Sequence, residues 1–444
     1  MRRIAVGCGL LVWTCLVPGG AAADERAPVV VTQPGGTVYH AAVQRFLDTS
    51  PGADPSRTER FRQEIKAGLE FSSVFKAIDP SAFLAGDATV SLEAPLQCPE
   101  WAQIGADALV EGELGTDASG LTVDFRVSDV SRCQRLLRKR FRAPVADWKR
   151  VAHRIADEVV GAFTGRPGVS STEIAYVSNR SGAREIWIAD ADGDNARQAT
   201  RNRSINAFPG WSGDGNAIVY TSYREARRPG LFVLTRGPGT PGRILRGLEH
   251  NAQQFRGVFD PTGRRLAVVL SIDGESDIFV VDRDGRNLRR LTNDRSIEVS
   301  PTWSPDGSKI AFVSDRAGGP QIYVMDADGG NVRRLTYQGD YNTGCSWSPD
   351  GRWIAYETRV AGQFDIWLID PDGSTNVPLV TNPRTDEGAS WSPDGRKIVF
   401  SSTRRGHADL YTVDVPDGGN VRQLTSGAGD NTSPSWGPYP PELR

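Results

Sequence analysis

The sequence predicts an α/β N-terminal domain followed by an all-β six-bladed β-propeller, and two observations predict this fold. The pentapeptide Trp-Ser-Pro-Asp-Gly recurs at a spacing of 44 residues, and together with its degenerate copies it opens at Trp211, Phe259, Trp303, Trp347, Trp391 and Trp436. A fixed period of this length indicates an array of small sheets, most often a β-propeller. The residues before Ile174 lack the period and mix helical with alternating apolar patterns, so we expect them to form another domain.

An export signal opens the chain. Arg2 and Arg3 precede an apolar run over residues 4–17, and Ala21 and Ala23 offer a small-residue cleavage site. The run is too short to span a bilayer as a stable anchor. We therefore expect residues 1–23 to be a cleaved signal peptide and the mature chain to be exported and soluble, with no direct membrane anchor. The formal net charge of −2 gives no sign of a nucleic-acid partner.

The domain predicted over residues 24–167 combines two helices with a small sheet. Apolar residues recur at helical spacing from Arg57 to Ile78, and a second helix opens at Pro144 and stops at Gly165. Between them, residues 121–128 alternate apolar and polar side chains, which is typical of a half-buried strand. Further strand candidates lie over residues 28–32, 108–114 and 134–141. These patterns predict a sheet packed on two helices.

Three cysteines remain after the predicted cleavage, Cys98, Cys133 and Cys345. An oxidising compartment permits a bridge between Cys98 and Cys133, and the alternative is a pair of buried free thiols. Cys345 stands two residues before Trp347, where a strand takes apolar or small residues, so we expect it to pack rather than react.

Each repeat of the second domain reads as a four-stranded antiparallel sheet. Ser-Pro-Asp-Gly closes a hairpin with little strain, because proline presets φ and glycine accepts a positive φ. The apolar strand after this turn recurs six times, at Ile174, Ile218, Leu266, Ile310, Ile354 and Ile398. The first copy has no Trp motif before it, and Trp436 has no strand after it. We expect the strand ending at Trp436 to complete the first blade and close a propeller over residues 172–437, with a tail over 438–444.

A polar residue stands five positions before each residue that opens a repeat. These ring residues are Asn206, Gln254, Glu298, Asn342, Asp386 and Asn431. Six blades place equivalent positions around one axis, so the pattern predicts a polar ring near one mouth of the channel. The ring is part of a partner or ion site, or it begins the turns that lead into the innermost strands, or both, and we expect it to lie near solvent. Arginines thirteen residues after the opening position are expected to contact neighbouring blades, at Arg180, Arg224, Arg316 and Arg404.

Three specific stretches of the first domain run over residues 69–75, 105–112 and 152–158, the last followed by Thr164 and Gly165. These stretches resemble the TolB family, the periplasmic component of the Tol-Pal envelope system. Together with the export signal and the six repeats, the resemblance covers nearly the whole chain. The third repeat departs from the pattern, since residues 259–263 replace Trp-Ser-Pro-Asp-Gly.

The resemblance implies a monomeric, non-catalytic scaffold without a cofactor or a metal, which supports outer-membrane integrity and cell division. It implies that the propeller docks the peptidoglycan-associated lipoprotein Pal, at the channel mouth marked by the ring residues. It also implies that the extreme N-terminus contacts the inner-membrane protein TolA, here through Val29, Val30, Val31 and Thr32.

Two other classes of function stay open at this point. An exported propeller enzyme, such as a polysaccharide lyase or hydrolase, needs convergent ionisable groups, for which the candidates are Glu298, Asp386, Glu387 and His407. A glycan-binding module needs exposed aromatic platforms, whereas most tryptophans here open repeats and are expected to be buried.

No metal site is expected from the residue spacing. None of the four histidines has ligand spacing to a second histidine or a cysteine. The Asp-rich turn over residues 190–195 begins like a calcium loop, but Asn195 and Arg201 stand where that loop needs glycine and glutamate. Turns of this kind between two apolar strands are ordinary hairpin turns.

Overall fold

The computed structural model describes residues 38–84, 86–87, 89–225, 228–236, 241–246, 252–427 and 429–440. The predicted signal peptide and the segment Val29–Thr32 lie outside the described residues. Within the described ranges, no helix has both the length and the apolar character needed to cross a membrane.

The N-terminal domain is a mixed sheet packed on two long helices. Its strands are β1 (Tyr39–Val43), β2 (Leu47–Asp48), β3 (Phe75–Ala77), β4 (Ala108–Asp117), β5 (Gly120–Asp129) and β6 (Gln134–Ala143), and its α-helices are α1 (Pro55–Phe71), α2 (Cys98–Gln103) and α3 (Trp148–Thr164). The sheet order is β3-β1-β4-β5-β6, with β2 paired to β4. β1 runs parallel to β3 and β4, whereas β4, β5 and β6 are antiparallel. Short 3-10 turns span Pro80–Ala82 and Val145–Asp147.

Local signals set the ends of α1 and α3. The Asp54 carboxylate accepts a hydrogen bond from the Ser56 amide at 2.9 Å and caps α1. α1 ends at Phe71, not near Ile78 as predicted, because Ser73 takes a left-handed φ of 61° and the chain continues as β3. α3 begins at Trp148, later than predicted, and ends at Thr164, where Gly165 caps it with a φ of 76°.

Packing in this domain buries one face of each long helix against the sheet. Phe61 and Ile65 of α1, Ile155 of α3 and Phe125 of β5 belong to one core and are at most 1% exposed. A disulfide joins Cys98 at the start of α2 to Cys133 beyond β5, with 5.6 Å between the Cα atoms. The structure therefore forms the first of the two alternatives for this pair, and Cys345 is a buried free thiol.

The second domain is a ring of six four-stranded sheets, so the predicted six-bladed propeller is confirmed. From the innermost strand outward, blade 1 has Asn431–Trp436, Glu173–Ser178, Glu185–Asp190 and Arg197–Gln198, and blade 2 has Asn206–Trp211, Ala217–Ser222, Gly230–Thr235 and Gly242–Arg243. In the same order, blade 3 has Gln253–Phe259, Arg265–Ile272, Glu275–Asp282 and Arg289–Arg290, and blade 4 has Glu298–Trp303, Lys309–Ser314, Gln321–Asp326 and Arg333–Arg334. Blade 5 has Asn342–Trp347, Ile354–Val360, Gln363–Ile369 and Asn376–Val380, and blade 6 has Asp386–Trp391, Lys397–Ser402, Asp409–Asp414 and Arg422–Gln423.

Blade 1 is built from both ends of the propeller sequence. The strand Asn431–Trp436 pairs antiparallel with Glu173–Ser178, with Asn431 opposite Ser178 and Trp436 opposite Ile174. The innermost strands of all six blades contact one another in turn around the axis. The last strand therefore completes the first blade and closes the ring, as the repeat count predicts.

Candidate functional site

The propeller has two different faces, which the strand register defines. Every innermost strand begins at or beside its ring residue and ends at its Trp or Phe, with Glu298 opposite Ser314 and Trp303 opposite Ile310 in blade 4. We call the end that carries the ring residues the ring face. We call the other end, which carries the Ser-Pro-Asp-Gly turns, the anchor face.

The N-terminal domain packs against the anchor face at blades 1 and 6. Lys397 at the start of a blade 6 strand donates a hydrogen bond to Ser73 Oγ at 2.8 Å, and its ammonium lies 5.1 Å from the centre of the Phe71 ring. Phe71 also packs against Trp436, with 6.4 Å between the ring centres. The ring face lies at the opposite end of the strands, away from these contacts between the described parts of the two domains.

The six ring residues are at most 1% exposed, so the prediction that they lie near solvent is wrong. Their positions are equivalent, as predicted, but most of their side chains point into the seams between blades. Asn342 Nδ2 donates to Gln321 Oε1 of the preceding blade at 2.8 Å. The same bond recurs from Asn206 to Glu185 at 2.9 Å and from Asn431 to Asp409 at 3.1 Å, and Gln254 accepts from the Leu231 amide at 3.1 Å.

The two acidic ring residues bond to arginines of their own blade. Arg316 donates to Glu298 at 3.1 Å, and Arg404 donates to Asp386 at 3.2 Å. Burial raises the pKa of Asp386, although hydrogen bonds from Ser402 and Arg404 oppose this. Arg180 makes the same contact to Asn431 at 2.8 Å within blade 1, and Arg224 donates to Pro241 O at 2.8 Å within blade 2. The expectation that these arginines contact neighbouring blades is therefore wrong, because each side chain folds back along its own sheet.

Inside the ring lies a channel cavity of about 480 Å³. The residue two positions after each ring residue lines this cavity and adopts a left-handed φ. These residues are Phe208, Arg256, Ser300, Gly344, Gly388 and Ser433. The strand register shifts at this point in every blade. Such bulges turn side chains toward the axis and are frequent at functional sites. Sequence reasoning missed these positions, although their fixed spacing from the ring residues could have revealed them.

Three charged side chains face this cavity. Burial raises the pKa of Glu357 to about 7, although a hydrogen bond from the Gly388 amide at 2.7 Å acts to lower this pKa. Burial and the nearby Asp386 also raise the pKa of Glu387. Arg256 donates to Ser300 Oγ at 3.2 Å. The channel can therefore hold polar groups of a partner, and its charge changes near neutral pH.

Large apolar side chains are exposed on and around the ring face. They occur in the loops and hairpins at that end of the strands or at the cavity, namely Ile205, Phe208, Ile272, Ile297, Tyr337 and Val360. Tyr337 is 74% exposed and Ile297 is 51% exposed. Of the eight large apolar side chains exposed on the described part of the propeller, six lie here and two, Val332 and Val421, lie at the anchor-face end, so the ring face is the more apolar of the two. The sequence names these residues but does not show which of them face solvent.

The four enzyme candidates do not converge. Glu298 lies in blade 4 and Asp386 in blade 6, and neither side chain has any exposure. Glu387 faces the cavity, whereas His407 lies outside it and pairs with Asp409 at 3.0 Å. The arrangement therefore does not assemble the acid and base pair that the enzyme hypothesis requires.

One cluster among the described residues has the composition of a cation site. Glu64 of α1, His153 of α3 and Asp192 of blade 1 each place a ligand atom within 4.8 Å of the others. The Lys149 ammonium supplies the positive charge that balances these carboxylates, because it lies 2.9 Å from Asp192 and also pairs with Asp194. Burial alone would lower the pKa of Lys149, but these two carboxylates raise it above its usual value. The cluster therefore acts as an ion-pair contact between the domains.

The Asp-rich turns are internally bonded hairpin turns. Asp282 accepts from Asn287 at 2.7 Å and Asp326 accepts from Asn331 at 2.6 Å, while Ser374 donates to Asp370 at 2.5 Å. The carboxylates are thus used within the turns, in agreement with the hairpin interpretation.

Comparison with known proteins gives consistent matches over both domains. The family described as the TolB beta propeller domain matches residues 160–440, and the TolB amino-terminal domain matches residues 27–136. A Tol-Pal system protein TolB from Anaeromyxobacter dehalogenans is 38% identical over 64% of this chain and 63% of its own length. A protein TolB homolog from Chlorobium chlorochromatii is 33% identical over 68% of this chain and 67% of its own length. The match thus spans less than two thirds of the first of these relatives.

A solved structure shares the two-domain architecture. The crystal structure of TolB from Acinetobacter baumannii superposes with a TM-score of 0.76 and 26% identity, covering 91% of this chain and 97% of that chain. The likeness therefore includes the N-terminal domain as well as the propeller.

Proposed function

Because the chain belongs to the TolB family, we propose that it is a non-catalytic scaffold of a Tol-Pal system. In this proposal it works in the periplasm, after cleavage near Ala23, and supports outer-membrane integrity and cell division. Its partners are a Pal lipoprotein, which docks on the propeller, and TolA, which binds the N-terminal segment that includes Val29–Thr32.

The ring face is the proposed docking surface for Pal. The observation that carries this placement is the set of exposed apolar side chains at that end of the propeller, headed by Tyr337 and Ile297. The anchor face is partly covered by the N-terminal domain through Lys397 and Phe71, so it offers less free surface. The ring residues support the surface from beneath, because their side chains hold the blades together and are buried.

Pal affinity of a double variant tests the docking surface. Changing Ile297 and Tyr337 together to Ala should raise the Kd for Pal about tenfold or more, about 1.4 kcal/mol, because a few well-placed aromatic and apolar side chains dominate such interfaces. Calorimetric titration of Pal into each protein measures this. The matched control is Val332→Ala, since Val332 is 38% exposed but lies at the anchor-face end of blade 4. A folded double variant with parental affinity, or an equal loss in the control, would move the docking surface elsewhere.

The proposed TolA contact is tested separately. Deleting residues 29–32 should abolish binding of TolA and leave the Kd for Pal unchanged, because the two partners use different parts of the chain. Pull-down with purified TolA and Pal distinguishes the two effects. Retained TolA binding by the deletion variant would assign that contact to another surface.

A further inference from the structure

The ring face divides into two halves of opposite charge. One half, the basic sector, consists of the loops and hairpins that follow one another from the entry of blade 6 to the entry of blade 2. Together they contain seven arginines and one aspartate, a formal charge of +6 with His407 neutral, over residues 179–184, 199–205, 381–385, 403–408 and 424–430.

The other half, the apolar sector, consists of the corresponding segments of blades 3 to 5. It contains five acidic residues and three arginines, a formal charge of −2, over residues 271–276, 291–297, 315–320, 335–341 and 359–364. Ile272, Ile297, Tyr337 and Val360 are exposed in this half. The ring face is therefore apolar and weakly acidic on one side and strongly basic on the other.

Most arginines of the basic sector lack a counter-charge. In the apolar sector, Arg316 lies 3.6 Å from Asp294, and Arg359 lies 2.9 Å from Asp340. Five arginines of the basic sector are exposed and have no carboxylate within ion-pair distance in the part of the chain that the structure describes. They are Arg184, Arg201, Arg203, Arg384 and Arg405. Their positive charge is thus available to a partner.

Hydrogen bonds between the loops hold the basic sector together as one surface. Asp430, its one acidic residue, accepts from the Ala408 amide at 3.2 Å and from Asn179 Nδ2 at 3.3 Å, and so joins the hairpins of blades 6 and 1. The Arg203 amide donates to the buried Glu185 carboxylate at 2.7 Å, which fixes the next loop against blade 1. The arginines are therefore carried by loops that contact one another.

The anchor face shows the other way of placing exposed arginines. There Arg283 lies 3.6 Å from Asp214, and Arg352 lies 3.6 Å from Asp350. Arginines without such neighbours repel one another, and an acidic surface placed against them would replace this repulsion with attraction. The basic sector also adjoins the exposed apolar side chains of the same face, so one partner can cover both.

We propose that the partner docked on the ring face presents a cluster of carboxylate side chains to the basic sector. This inference rests on the proposed docking of Pal at that face, and it adds the charge of Pal's contact surface and its orientation. The apolar part of that surface lies over blades 3 to 5 and the acidic part over blades 6 and 1. A folded protein can match both halves, whereas an anionic lipid surface would also meet the carboxylates of the apolar sector.

Exposed arginines at the rim of an interface act mainly on the rate of association, because their attraction extends beyond contact and is screened by salt. Stopped-flow mixing of the full mature chain with Pal, at several NaCl concentrations, measures this rate. Changing Arg201 and Arg405 together to Glu should lower the association rate constant about tenfold or more at low salt and leave the dissociation rate constant within about twofold. The difference from the parent should shrink as salt rises.

The matched control reverses two arginines on the anchor face. Arg286→Glu with Arg352→Glu changes the net charge by the same amount, and these side chains are 82% and 67% exposed. This variant should associate with Pal at the parental rate. The milder pair Arg201→Gln and Arg405→Gln should lower the rate several-fold if the charge reversal disturbs the loops.

The outcomes separate this inference from the docking function. If the parent chain does not bind Pal, the proposed function is wrong and the inference fails with it. If Pal binds and changing Ile297 and Tyr337 weakens binding, an unchanged rate in the Arg201 and Arg405 variants overturns the inference alone. An equal loss in the anchor-face control would overturn it as an effect of net charge. Binding to phosphatidylglycerol vesicles that only the basic-sector variant loses, with unchanged association with Pal, would assign the sector to a lipid surface instead.

Discussion

Glu357 is a buried acid of the channel whose carboxylate depends on the backbone and the space around it. Its carboxylate accepts from the Gly388 amide at 2.7 Å, and the residue is 9% exposed. A Cβ on Gly344 would lie 2.2 Å from a carboxylate oxygen of Glu357, and Gly344 has a φ of 62°. A side chain at Gly344 would displace the Glu357 carboxylate, whereas the equivalent bulges of blades 2 and 4 hold Phe208 and Ser300 at a similar φ. The left-handed bulge and the buried acid are two parts of one arrangement.

Replacing Glu357 with Gln should flatten part of the pH dependence of stability. Because burial raises the folded-state pKa from 4.5 to about 7, the folded protein binds this proton more tightly than the unfolded chain does. The contribution to the free energy of unfolding is full below pH 4.5 and is lost as pH rises to about 7. Each pKa unit corresponds to about 1.4 kcal/mol.

Urea unfolding at several pH values across that window measures the effect. The parent protein should lose stability relative to Glu357→Gln as pH rises. Glu275→Gln, on an exposed hairpin, is the control and should follow the parent. Parallel curves for the parent and Glu357→Gln would contradict the raised pKa.

At the scale of the element, blade 1 depends on the closing strand for its complete four-stranded sheet. Asn431–Trp436 supplies its innermost strand, and Arg180 donates to Asn431 Oδ1 at 2.8 Å across the closure. Tyr176 and Ile174 of the partner strand are at most 1% exposed. Without the closing strand these side chains would meet water, and the edge of the sheet would lose its hydrogen-bond partners.

Deleting residues 431–444 should therefore destabilise the whole propeller rather than one blade. We expect a large fall in the thermal midpoint, or loss of a cooperative transition, measured by calorimetry. Deleting only residues 441–444 is the control, because it leaves the strand in place. An unchanged midpoint in the longer deletion would show that the ring does not depend on this closure.

At the scale of the whole molecule, the linker and the interface hold the two domains in one arrangement. Asp157 of α3 is fully buried and accepts from the amides of Ser170 and Ser171, each at 2.8 Å. Burial raises the pKa of Asp157 to about 6, against these hydrogen bonds. Phe71 packs between Lys397 and Trp436 of the propeller. Buried hydrogen bonds and aromatic contacts therefore join the two domains directly.

Phe71→Ala should loosen this arrangement. Replacing a buried phenylalanine with alanine lowers the free energy of unfolding by roughly 3–5 kcal/mol, and the cavity that this substitution leaves would lie at the domain interface. Hydrogen exchange should become faster at the linker amides of Ser170 and Ser171, whereas blade 4 amides such as that of Met325 serve as the internal control. Uniform acceleration in all blades, or none at the linker, would contradict a local role for Phe71.

The sequence by itself determined the six blades and their closure. Hairpin turns and alternating apolar strands are local patterns, and a period of 44 residues repeats them in register, so the strands around Ile310 or Ile354 could be assigned directly. The fold class and the family resemblance followed from those patterns. The end of α1 was misplaced because the apolar residues after Phe71 continue the spacing, although Ser73 breaks the helix.

Only the tertiary structure decided which residues face solvent and which meet across domains. Asn342 looks like an accessible turn residue in sequence, but its amide is buried in a seam against Gln321 of another blade. Tyr337 is exposed, and its exposure has no local signature. Burial and pairing depend on neighbours distant in the chain, whereas turn chemistry and strand periodicity depend on residues only a few positions apart.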